Sequence, residues 1–73
     1  MNSQLDYRRL VKELTPKLKI ALARFMPGSE IDDVIQDSFM KLFIVNQKES
    51  IENPQAFIYK VSRNIAIDKL RKS

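Results

Sequence analysis

Apolar residues recur along this chain at steps of three, four and seven, the period of helices that bury one face. In the opening segment LDYRRLVKELTPKLKIALARFM, Leu5, Leu10, Leu14, Leu18, Leu22 and Phe25 fit one such stripe. Pro16 interrupts it, removing a backbone donor, and either kinks one long helix or starts a second with Thr15 as its cap. The kinked continuous helix is the preferred reading, ended by the turn pair Pro27 and Gly28. A second helix is expected from about Glu30 to Val45, with Ser29 as N-cap and Glu30, Asp32 and Asp33 in the first turn, where the helix dipole favours carboxylates. At about 100° per residue, Ile31, Val34, Ile35, Phe39 and Leu42 share its buried side, and Asp33, Gln36, Asp37, Met40 and Ile44 the other.

The polar stretch NQKESIEN has no period and reads as a loop of roughly eight residues. Asn53 then caps a third helix that begins at Pro54 and runs to about Arg71. Phe57, Ile58, Val61, Ile65 and Leu70 take its apolar side. Lys60, Arg63, Asn64, Asp68 and Arg71 line the opposite side, with Ile67 among them. No repeat or linker divides the chain. The expectation is an all-α fold: one domain over residues 1–73, a compact bundle of three helices, or four if Pro16 breaks the first.

Composition narrows the function classes. Seventy-three residues make one domain with a thin core. One glycine and three prolines leave little room for the turns of an all-β fold. With no cysteine and no histidine, disulfides and the usual nitrogen and sulfur metal ligands are excluded, so packing alone must hold the fold. The same absences remove the common nucleophile–base pairs, and there is no glycine-rich phosphate loop; no catalytic residue and no cofactor are expected. Asp32, Asp33 and Asp37 read as surface groups complementing a helix dipole rather than as a magnesium site. The N-terminus lacks the apolar stretch of a signal peptide, and no apolar run is long enough for a membrane span, so a cytoplasmic protein with no membrane partner is expected.

The net charge of +4 is unevenly spread. Residues 1–28 hold six basic and two acidic side chains, residues 29–53 two basic and six acidic, and residues 54–73 five basic and one acidic. This alternation suggests one surface suited to a basic protein partner and another, on the opposite side, suited to a polyanion; ordinary solvated helix faces remain the plainer alternative. On the second helix, Met40 and Ile44 are apolar on a water-facing stripe and are flanked by Asp33, Gln36 and Asp37, which suits a partner helix. On the third, Lys60, Arg63 and Arg71 can pair with phosphates while Asn64 and Asp68 can read base edges. Arg71 is also an intrahelical partner for Asp68. Phe57 and Tyr59 are the nearby groups for base stacking.

Taken together, EIDDVIQDSFMKLF, the polar loop and NPQAFIYKVSRNIAIDKLRKS resemble region 2 of the extracytoplasmic-function sigma factors of bacterial RNA polymerase. The family motif D-L-V-Q-E corresponds to Asp33-Val34-Ile35-Gln36-Asp37, and A-R-N-L-A-I-D-x-L-R to the run from Ser62 to Arg71. The short loop before Asn53 is most similar to the iron-uptake subgroup. The resemblance implies that Asp33, Gln36, Asp37 and Met40 dock on the β′ coiled coil of the polymerase core, with Asp37 standing where glutamate is usual. It implies that Lys48 and Ile51 shape a pocket for a flipped base, and that Phe57 supports strand separation where tryptophan is common. Lys60, Arg63, Asn64, Asp68 and Arg71 would then face the non-template strand of the −10 promoter element. An anti-sigma factor is a further expected partner. The C-terminal −35-recognition domain of such factors is expected to be absent from this chain. The rival from another class is a helical protein-interaction module that engages an anti-sigma factor without reading DNA. A helix-turn-helix binder of duplex DNA is disfavoured, because that motif joins its helices by about three or four residues.

Overall fold

A computed structural model describes residues 6–24 and 26–72 of the chain. Leu5 and Phe25, both assigned to the first apolar stripe, lie outside the described residues. The described residues form α1 (Tyr7–Leu22), α2 (Gly28–Lys48) and α3 (Pro54–Lys72), with no strand among them. The expected all-α bundle is the fold found.

Helix α1 starts where Asp6 accepts a hydrogen bond from the Arg9 N–H (3.2 Å), a side-chain cap that satisfies one otherwise unpaired donor. It runs through Pro16 as one helix, so Thr15 caps nothing. Helix α2 begins two residues earlier than expected, and Ser29 lies inside it rather than at its cap. The cap is Pro27, extended at φ −69° and ψ 152°, whose carbonyl accepts from the N–H groups of Glu30 (3.0 Å) and Ile31 (3.3 Å). The proline ring presets that φ, so no side-chain cap is needed to start the turn. At its other end α2 continues through Asn46, Gln47 and Lys48, three residues beyond Val45. Gln and Lys favour helix, and their exposure hides this last turn from an apolar period. The loop is therefore residues 49–53, shorter than expected. Helix α3 begins as expected, with the Asn53 side chain accepting from the Ala56 N–H (3.0 Å) and Pro54 at the first position.

One cluster forms the core: Leu14, Leu18 and Leu22 from α1, Met26 from the turn, Ile31, Val34, Ile35, Phe39 and Leu42 from α2, and Ile58 and Ala66 from α3. All five apolar positions expected on α2 are buried, while Leu10 on α1 is half-buried. On α3 the expected apolar side needs correction. Ile58, Ser62 and Ala66 are buried, Phe57, Val61 and Ile65 are half-buried, and Leu70 is 43% exposed. Steps of four precess by roughly 40° each, so Leu70 has rotated about 120° from Ile58 and left the seam. The α2–α3 packing is the most extensive of the three helix pairs. Small residues line it: Ser38 donates to the Val34 carbonyl (2.6 Å) and Ser62 to that of Tyr59 (3.1 Å), so both buried hydroxyls are satisfied.

The molecule is a slab of 42 × 21 × 15 Å, so each helix keeps a long face on water. Among the described residues, no helix is long and apolar enough to cross a membrane.

Candidate protein and nucleic-acid interfaces

The core stripe of α2 fixes the direction of everything on its opposite side. With Val34, Ile35, Phe39 and Leu42 inward, Asp33, Gln36, Asp37 and Met40 are exposed, as the period predicts. Met40 is 57% exposed, and Phe43 and Ile44 add further apolar surface at 50% and 51%. Three neighbouring apolar side chains on a carboxylate-edged helix make a surface of the kind that receives a partner helix.

Phe43 is not among the expected site residues, although it stands seven residues after Gln36 and so only about 20° from it around the helix. Its ring stands edge-on to Tyr7, with centroids 5.6 Å apart, and Tyr7 meets Phe39 in the same manner at 6.1 Å. The three rings line a groove of about 620 Å³ between α1 and α2 together with Val11, Asp32, Ile35, Gln36 and Met40. Burial raises the Tyr7 phenol above its ordinary value of 10.0, because desolvation disfavours the charged form. At the end of the groove near Asp32, Lys19 reaches across to that carboxylate (3.7 Å).

Helix α3 presents Lys60, Arg63, Asn64, Asp68 and Arg71 together on its exposed side. Lys48, at the last position of α2, is exposed at the start of the loop. Ile51 and Phe57 are different: both are half-buried and pack against the core, so each offers only part of its side chain to a ligand. Asp68 pairs with Lys72 (3.4 Å), one position beyond the expected Arg71, because a four-residue step suits the lysine's reach on a helix. The Asp68 side chain is still 61% exposed. None of Lys48, Lys60, Arg63 and Arg71 joins an ion pair among the described residues.

The two stripes are not fully opposed, contrary to the sequence expectation. Asp37 shares one depression with Asn64, Asp68 and Lys72, and a second with Met40, Ile44 and Ile65. The close α2–α3 seam that buries Ser38, Ser62 and Ala66 brings the acidic edge of one stripe beside the polar edge of the other. Sequence spacing gives each helix its own angles but not the rotation of one helix against its neighbour.

Among the described residues, no group of three or more acidic side chains is placed to hold a metal ion. Compared with known proteins, residues 7–73 match the family model described as Sigma-70 region 2. No curated protein and no solved structure matches the chain.

Proposed function

Because the chain belongs to the sigma-70 region 2 family, we propose that α2 docks it on the β′ coiled coil of RNA polymerase core, while α3 and the α2–α3 loop hold the non-template strand of the −10 element. Region 2 of sigma-70 factors is a transcription initiation domain, not an enzyme family, and its general partners are RNA polymerase and promoter DNA. The finer assignment to the extracytoplasmic-function group rests on Asp33-Val34-Ile35-Gln36-Asp37 and on the run from Ser62 to Arg71. The iron-uptake branch rests on the short loop before Asn53 alone. The cytoplasm is the compartment this reading requires.

The observation that carries the proposal is the simultaneous exposure of Gln36 and Asn64 on adjacent helices that share the Asp37 depression. On this reading Met40 supplies the apolar centre of the polymerase contact, and Asp33, Gln36 and Asp37 its polar rim. Lys48, Lys60, Arg63 and Arg71 attract phosphates. Asn64 offers a donor and an acceptor to one base edge, and Asp68 accepts from an exocyclic amine. Ile51 and Phe57, held from behind by the core, give an unpaired base firm apolar surfaces. Opening needs no bond chemistry, because trapping unpaired bases draws the duplex equilibrium towards separated strands.

The apolar patch of Met40, Phe43 and Ile44 also favours an anti-sigma factor as a second protein partner, one that would compete for the polymerase seat. The test is binding of the β′ coiled coil to the wild-type chain and to Gln36→Ala, followed by binding of single-stranded oligonucleotides to wild type and Asn64→Ala. Each variant should weaken its own ligand and spare the other. Equal affinity for oligonucleotides of every sequence, unchanged by Asn64→Ala, would leave only the protein-interaction reading.

A further inference from the structure

The loop between α2 and α3 is fastened at both ends by asparagine side chains. At its far end, the Asn53 bond to Ala56 is a helix cap. At its near end, Asn46 in the last turn of α2 does something the helix does not require. Its Oδ1 accepts the N–H of Ile51, five residues ahead, at 3.2 Å. Ile51 also packs its side chain against the core cluster, so this one residue is held by both backbone and side chain. Glu49, Ser50 and Glu52 stand in water around it. Between Lys48 and Pro54 the chain is thus held at Ile51 by the half-buried Asn46 side chain and by core packing, and at its far end by the Asn53 cap.

We propose that Asn46 is a positioning residue for strand recognition: by holding the Ile51 backbone it keeps the loop in one shape for an incoming unpaired base, without itself touching nucleic acid. This rests on the reading that the loop contacts the separated strand. A loop already ordered loses little conformational freedom when it binds, whereas a loose one must be ordered by its ligand. Attraction of phosphates to Lys60, Arg63 and Arg71 depends on charge carried by α3 and not on the loop's shape. Loss of the Asn46 bond should therefore fall on discrimination between bases and leave the salt dependence of binding intact.

The experiment compares wild type, Asn46→Leu and Asn46→Asp. Leucine keeps the bulk but loses the acceptor, and aspartate keeps an acceptor oxygen at the same reach. Fluorescence anisotropy with single-stranded oligonucleotides differing at one base gives the preference ratio, and a salt titration gives the slope. Asn46→Leu should lower the preference about fivefold, as expected for one lost hydrogen bond, with the slope unchanged. Asn46→Asp should restore most of the preference, and amide exchange at Ile51 should quicken only in the leucine variant. A leucine variant that discriminates like the wild type overturns this inference alone, as does one that loses preference only together with its salt slope and its melting transition. A wild-type chain that binds all oligonucleotides alike overturns the parent reading, and this inference with it.

Discussion

Replacing Arg63 by alanine should flatten the salt dependence of single-strand binding by an amount that can be worked out beforehand. Lys48, Lys60, Arg63 and Arg71 are exposed and free of ion pairs among the described residues, so each is available to one phosphate. On single strands each such contact contributes about −0.7 to the slope of log affinity against log salt, so four give about −2.8. Between 50 and 200 mM salt the wild-type affinity should then fall about fiftyfold, and that of Arg63→Ala only about twentyfold. Lys60→Ala and Arg71→Ala should behave alike. Arg9→Ala is the control, because Arg9 sits on α1 and is already paired with Glu13 at 3.8 Å. Anisotropy titrations of a labelled oligonucleotide at four or more salt concentrations, with circular dichroism to verify folding, give the slopes. If Arg63→Ala keeps the wild-type slope, or Arg9→Ala lowers it equally, α3 is not the face that meets the strand.

Three further outcomes are expected. Leu42→Ala removes a fully buried side chain from a single small core and should cost about 2–5 kcal/mol in chemical denaturation, a large part of the stability of a domain this size. Asn53→Ala deletes the α3 cap and should cost about 1 kcal/mol, read as a lower melting temperature. Asp37→Glu lengthens the reach of an exposed carboxylate towards the position's usual glutamate and should tighten coiled-coil binding by up to about fivefold, the scale of one exposed ion pair; weaker binding would count against Asp37 as a polymerase contact.

Much of the architecture was legible from single positions. Five apolar residues on α2 specify its buried face, and Asn53-Pro54 marks the start of α3 by both a cap and a preset φ. The exposed stripes followed, because a helix whose inner face is known has its outer face determined. What escaped the pattern was small or relational. Ser38, Ser62 and Ala66 are buried for their size rather than their hydrophobicity, and the signal was their place in four-residue steps with Val34, Leu42 and Ile58. Ser29 looked like a cap because hydroxyls usually fill that role, but the Pro27 carbonyl had already begun the turn. The shared depression around Asp37, and the ring contacts of Phe43 with Tyr7, depend on how helices lie against each other. No spacing within one helix encodes that.

The position of Asp37 has a thermodynamic corollary. Its carboxylate borders both the depression lined by Asn64, Asp68, Lys69 and Lys72 and the one lined by Met40 and Ile44; on the proposed reading it would oppose a phosphate chain that those lysines attract, beside the patch that would meet a protein. A cationic partner that neutralises it removes that repulsion and so raises affinity for the strand. By linkage, the strand must raise affinity for that partner by the same factor. On that reading one shared anion couples the two ligands, and the coupling favours the ternary complex over either binary one.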